Sequence, residues 1–138
     1  MASRLNPYLS FKTTARQAME FYKSVFGGEL TISTFAELGG SKDPADKDLI
    51  MHSQLVAPNG YWLMASDTPA HMEHRPGNNI SVSISGDDEA ALNAQWTALS
   101  AGATITQPLT KAPWGDSFGM LVDKFGITWL VNISGAAA

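Results

Sequence analysis

His52 is the side chain in this sequence best suited to chemistry, because a neutral imidazole can bind a metal ion or carry a proton near neutral pH. Which way it points depends on a hairpin. If Pro58-Asn59-Gly60 is a three-residue loop, Ala57 faces Tyr61; Gln54 then faces Met64, His52 faces Ser66, and all point into a cleft. A four-residue loop would set His52 opposite Ala65, on the side that packs against a helix. Gly60 suits the bulge of the shorter loop and favours the first arrangement, in which a hydrogen-bonded structural histidine is the alternative to a catalytic one.

Other groups invite chemical readings that their context weakens. His71, Glu73 and His74 form H-x-E-H, but not the H-E-x-x-H order that sets two histidines one helical turn apart. Pro69 and Pro76 oppose a helix there, so a solvated connector is expected, with a place at a pocket rim as its functional use. Gly115-Asp116-Ser117-Phe118-Gly119 matches G-x-S-x-G, yet strand-like residues follow Ser117 and no histidine lies beyond His74. Gly39-Gly40-Ser41-Lys42 lacks both the earlier glycine and the hydroxyl of a phosphate loop, and no G-x-G-x-x-G occurs. Tyr8, Trp62 and Trp114 could stack on a planar ligand, with Trp114 as a lid, whereas Phe21, Tyr22, Phe26 and Trp96 fall on helical stripes and read as core.

The elements that must position these groups follow from periodicity. Leu5 to Phe11 reads as a strand. A helix follows from Ala15 to Phe26, capped by Thr13 or Thr14 with Gln17 completing a capping box, and stopped at Gly27-Gly28. Thr31 to Phe35 reads as a second strand, Glu37 to Asp48 as a long mobile loop, and Leu49 to Ala57 with Tyr61 to Ser66 as a hairpin. After a connector over 67–78 the plan repeats. Asn79 to Ser85 alternates strictly, so Ser81, Ser83 and Ser85 face away from Ile80, Val82 and Ile84 and would line a polar inner wall with Asn79 at its end. A helix from Asp88 to Ala101, capped by Asp87, leads to strands at Thr104 to Thr106, Phe118 to Val122 and Ile127 to Ile133. Tyr22 to Trp96 and Gly28 to Gly102 each differ by 74 positions, as expected of two β-α-β-β-β units within one 138-residue domain, at 5–67 and 78–134. Each unit alone would leave a sheet face uncovered, so the two must pack together or pair with another chain.

Composition narrows the class. The chain is 44% hydrophobic and 16% charged with net charge -4, fitting one soluble globular domain, α+β by the elements above, large enough to hold a core without a metal or disulfide. The absence of cysteine removes disulfides, thiolate metal sites and a Cys nucleophile. Scattered lysines and arginines offer no stripe for phosphates, so no nucleic acid partner is expected, and no apolar run suits a membrane. A cytoplasmic location is the expectation.

Asn6-Pro7-Tyr8-Leu9, Glu20-Phe21-Tyr22-Lys23-Ser24-Val25-Phe26-Gly27-Gly28, Met51-His52, Leu63-Met64-Ala65-Ser66-Asp67, Trp114-Gly115 and Val122-Asp123-Lys124-Phe125-Gly126 occur in this order. Together they make nearly the whole chain resemble the PhnB-like branch of the vicinal oxygen chelate superfamily, the glyoxalase, bleomycin-resistance and extradiol dioxygenase group. The resemblance implies paired βαβββ modules forming a curved, cleft-enclosing sheet, commonly in a homodimer, often with a divalent metal. Some PhnB-like proteins carry methyltransferase-like names, but nothing here resembles a glycine-rich nucleotide turn.

Placed on the pattern of metal-dependent relatives, the ligand positions of this chain are Asn6, Met64, Asn79 and Leu130. Two amides, a thioether and an alkyl chain should not hold a hard or borderline divalent ion tightly, so no cofactor is expected there and glyoxalase chemistry loses its usual support. The leading expectation is a homodimeric small-molecule-binding protein without a tight metal, sequestering a polar or aromatic compound between its modules through Tyr8, His52, Trp62, Met64, Asn79, Ser81 and Trp114. The rivals are a lyase, isomerase or dioxygenase whose relocated metal site or base uses His52, and a dimeric interaction module.

Overall fold

A computed structural model describes residues 3–135, and the chain divides after Pro76 into two compact units. The first contains β1 (Tyr8–Phe11), α1 (Ala15–Phe26), β2 (Glu29–Thr34), α2 (Phe35–Leu38), β3 (Ile50–Val56) and β4 (Trp62–Asp67). Its sheet order is β1-β4-β3-β2, with β1 parallel to β4 and the other pairs antiparallel. The second contains β5 (Val82–Gly86), α3 (Glu89–Leu99), β6 (Thr104–Lys111), β7 (Ser117–Val122) and β8 (Thr128–Ile133), in the order β5-β8-β7-β6 with β5 parallel to β8. Each unit is therefore the expected β-α-β-β-β.

In the first unit α1 buries Ala15, Ala18, Met19, Tyr22 and Phe26 against the sheet face carrying Leu9, Phe11, Leu55, Leu63 and Ala65. The helix runs over the expected residues, but its start is held differently. Thr14 makes no side-chain cap; instead Asp67, buried at the end of β4, accepts the N–H of Ala15 at 2.9 Å through Oδ1 and that of Ile50 at 2.9 Å through Oδ2. A carboxylate facing the first N–H of a helix also complements the positive end of its dipole.

Several boundaries shift for local reasons. β1 begins at Tyr8 rather than Leu5, since Pro7 has no N–H to give the ladder and contributes only its carbonyl, to Met64 N at 3.2 Å. β2 ends at Thr34, because Thr34 and Glu37 form the capping box that opens α2. The segment read as one long loop holds α2 and a 3-10 turn at Pro44–Asp46, tied by buried Asp46, which accepts from Ser41 Oγ at 2.7 Å and from the Ala70 N–H. β5 starts at Val82, leaving Ile80 80% exposed, and Asp88 rather than Asp87 caps α3. β6 is longer than expected, and its pairing register breaks twice, the second time across Pro108, which has no N–H to give the ladder.

One turn design recurs three times. In Ala57 to Tyr61, Ala112 to Asp116 and Asp123 to Ile127, the first residue's N–H donates to the last residue's carbonyl, and a glycine at the fourth position, at φ between 87° and 106°, donates back to the first. These three-residue loops fix the register of β3–β4, β6–β7 and β7–β8. In the second unit the face toward α3 carries Ile84, Leu121, Trp129 and Val131, and Gly119 is bare there because a Cβ would lie 2.8 Å from the Trp96 ring.

Asp67→Ala leaves two buried N–H groups without acceptors and is expected to cost about 2–4 kcal/mol, seen as a lower urea midpoint at unchanged slope. Glu37 makes a pH-dependent contribution to α2. The Thr34 N–H, then its hydroxyl, with the nearby charge of Arg16, hold the Glu37 carboxyl below the usual carboxylate range. A depressed folded value means the cap is complete above the ordinary glutamate range and is lost as pH falls through the folded value. The Glu37 carboxyl resonance should titrate at lower pH than in Thr34→Ala.

Candidate functional site

The face of the first sheet turned away from α1 is built in rows, since residues opposite one another in a ladder share a face. Tyr8 pairs with Met64, Met64 with Gln54 and Gln54 with Thr31, giving one row across all four strands. Above it, Ser10 pairs with Ser66 and His52 with Ser33; one step beyond the Ser53–Ala65 pair, the same register brings His52 opposite Ser66. Below it, Trp62 pairs with Val56 and Val56 with Glu29. Strands about 4.8 Å apart make each row some 15 Å wide.

The hairpin adopts the register of the three-residue loop, so His52 takes the open face. A bulge supports this orientation. Ser33 pairs with His52 but Thr34 pairs with Ile50, so Met51 is the extra residue. Alternation along a regular strand would turn Ile50 and His52 the same way; across the bulge Ile50 is buried on the α1 side and His52 is half-buried on the other. The His52 imidazole lies 6.2 Å from the Tyr8 ring, tilted by 35°, and makes no hydrogen bond among the described residues. Tyr8 is half exposed. The Arg4 guanidinium sits 3.9 Å from the centroid of the Trp62 ring.

Thus Tyr8, His52, Trp62 and Met64 come together in the first unit. Asn79, Ser81 and Trp114 belong to the second. Asn79 and Ser81 precede β5 and are exposed, and Trp114 stands 75% exposed at the tip of the β6–β7 hairpin. The open face of the second sheet has its own rows, Ser83–Leu130–Met120–Gln107 and Ser85–Asn132–Phe118–Thr110. Within β5 the polar residues on this face are Ser83 and Ser85, as the alternation predicts. Asp116 accepts from Asn132 at 3.4 Å and from the Gly135 N–H at 3.0 Å, and Ser117 opens β7, which is not a nucleophile elbow. In the connector His71 is exposed, Glu73 pairs with Arg75 at 2.8 Å and His74 Nδ1 lies 3.4 Å from the Thr68 hydroxyl.

A protein-family model described as 3-demethylubiquinone-9 3-methyltransferase matches residues 3–132. The chain belongs to that family. Its α+β fold is the one found in solved structures named as PhnB and as glyoxalase/bleomycin resistance/dioxygenase proteins. PA1353 from Pseudomonas aeruginosa is 35% identical, the match covering 96% of this chain and 98% of that one with a TM-score of 0.81. The PhnB protein from Bacillus cereus has the same fold at 23% identity, covering 96% and 100% of the two chains with a TM-score of 0.75. Protein YjdN of Escherichia coli K12 is 25% identical over 141 residues, covering 94% of each chain.

Within this PhnB-like frame the metal positions can be tested for fit. Met64 offers a thioether, Leu130 offers nothing, and the Asn6 Nδ2 donates to the Pro7 carbonyl at 3.1 Å. Register corrects the fourth position: Tyr8 opposes Met64 as Ser83 opposes Leu130, so the counterpart of Asn6 is Ser81, not Asn79. An amide, a thioether, a hydroxyl and an alkyl chain do not fit a divalent ion that wants carboxylate and imidazole. Among the described residues no three His, Asp or Glu side chains converge as a ligand set.

Sequence reasoning placed Ser66 opposite His52 but missed Ser10, Ser33 and Thr31 as neighbours of His52 and Gln54 on this face, and missed Arg4 on Trp62. The serines lay in strands already drawn, where the period of two would have found them once β2 was started at Glu29. Arg4 carried no signal, since it lies outside every periodic segment.

Proposed function

We propose that this PhnB-like chain binds a small planar or aromatic molecule bearing polar groups on the open face of its first sheet, without a tight metal at the superfamily's usual positions. The observation that carries the reading is the Tyr8–His52 ring pair, 6.2 Å apart, in register with Met64, Gln54 and Ser66. Aromatic and thioether surface supplies area for contact, while the imidazole, carboxamide and hydroxyls supply a few aimed polar groups. Half-buried polar side chains on the side opposite the helix suit a ligand better than a dry core. Sequestration needs no more than this, and the family's methyltransferase name is not carried over as an activity because function resides in the site.

A metabolite library screened by thermal shift should yield compounds that, at a hundredfold their Kd, stabilise the protein by about 2.7 kcal/mol. Tyr8→Ala and His52→Ala should each weaken such a compound about five- to tenfold by calorimetry. A library that shifts nothing would favour the interaction-module reading.

His52, which makes no hydrogen bond among the described residues, also supports a second reading, a lyase, isomerase or dioxygenase with a relocated metal. Protein purified without chelator should carry well under one divalent ion per chain by elemental analysis. About one ion per chain, lost in His52→Ala, would instead establish the metal reading.

A further inference from the structure

We infer that Arg4 selects anionic ligands at this face, so that the class of molecule bound is a planar aromatic carrying a carboxylate or an equivalent oxyanion. The inference rests on the proposed binding face and adds its charge preference. The chain has three arginines and a net charge of -4. Arg75 pairs with Glu73 at 2.8 Å, and Arg16 lies near enough to Glu37 for its charge to help lower that carboxyl. Arg4, among the described residues, has no carboxylate partner although the protein holds 13 acidic side chains.

What Arg4 has instead is the Trp62 ring, 3.9 Å from its guanidinium carbon. Stacking uses the flat face of the guanidinium and leaves its in-plane N–H donors free; a lysine ammonium has no such division. A planar cation fixed by an aromatic ring presents a pre-oriented fork, which matches the two oxygens of a carboxylate. Trp62 is thereby a positioning residue for Arg4 as much as a wall of the site.

The spacing gives the ligand its shape. Trp62 and Met64 are two residues apart on the same face of β4, about 7 Å, and Tyr8 lies beside Met64. A two-ring system seated over Met64 and Tyr8 places an acid group on its end at Arg4 and its other end at His52 and Ser66. The first end is cationic; the second donates and accepts hydrogen bonds.

The test compares 2-naphthoate with neutral 2-naphthamide by isothermal calorimetry. The wild type should bind the acid about tenfold more tightly, the magnitude of one charge-assisted hydrogen bond at a partly exposed site. Arg4→Gln should remove that difference by weakening only the acid, and Arg4→Lys should restore less than half of it on a logarithmic scale. The preference should also shrink between 0.05 and 0.5 M sodium chloride. Equal binding of the two probes by the wild type, or an acid preference that survives Arg4→Gln, overturns the charge selection and leaves the binding face standing. Failure of both probes to bind at millimolar concentration overturns the binding face and the charge selection together.

Discussion

The carboxylate of Asp67 is the joint on which the first unit depends. It stands at the end of β4 and holds the N–H that opens α1 and the N–H that opens β3. One buried anion thus sets where the helix starts, where the third strand starts, and how both meet the fourth. With Ile50 pinned to the α1 side, the chain has two residues in which to turn His52 the other way, and the bulge at Met51 makes that turn. The candidate site inherits its orientation from this bond. Asp123 plays a related part in the second unit, where it accepts from Phe125, Ile127 and the Trp129 indole and so fixes the β7–β8 turn to the core beneath it.

The two units use one frame for unequal purposes. Matching the rows by register sets Tyr8 against Ser83, Met64 against Leu130, Gln54 against Met120 and His52 against Phe118. Where the first unit has a phenol, a thioether, a carboxamide and an imidazole, the second has in turn a hydroxyl, an alkyl chain, a thioether and a phenyl ring. The phenol and the imidazole lie on the first sheet; the matching rows of the second carry Leu130, Met120 and Phe118 between hydroxyl and carboxamide side chains.

Much of the frame was legible because it is local. The stripe from Ala15 to Phe26 marked α1 to the residue, and Pro58-Asn59-Gly60 set the hairpin register that carries His52 to the open face. The failures have a common cause in interactions between distant positions. Thr14 and Gln17 have the spacing of a capping box, yet Asp67, 52 positions beyond Ala15, performs the task. The equivalence of Asn6 with Asn79 came from placing the chain on the pattern of metal-dependent relatives, and only the parallel pairing of β5 with β8 moves it to Ser81. The end of β2 is a different case: Thr34 and Glu37 carried a readable cap signal that the β-branched run before them obscured. The Arg4–Trp62 contact had no local signal, since a cation outside any periodic element can lie almost anywhere.

The alternation of faces along β3 and β4 has a consequence for how this scaffold changes over time. Ser53, Leu55, Leu63 and Ala65 meet the helix, and the residues between them, His52, Gln54, Trp62 and Met64, do not. Evolution can therefore rewrite recognition at every second position while the interior goes on being assembled from the same pieces. A frame partitioned this way tolerates drift in what it holds, which is why lineages sharing it need not share a substrate.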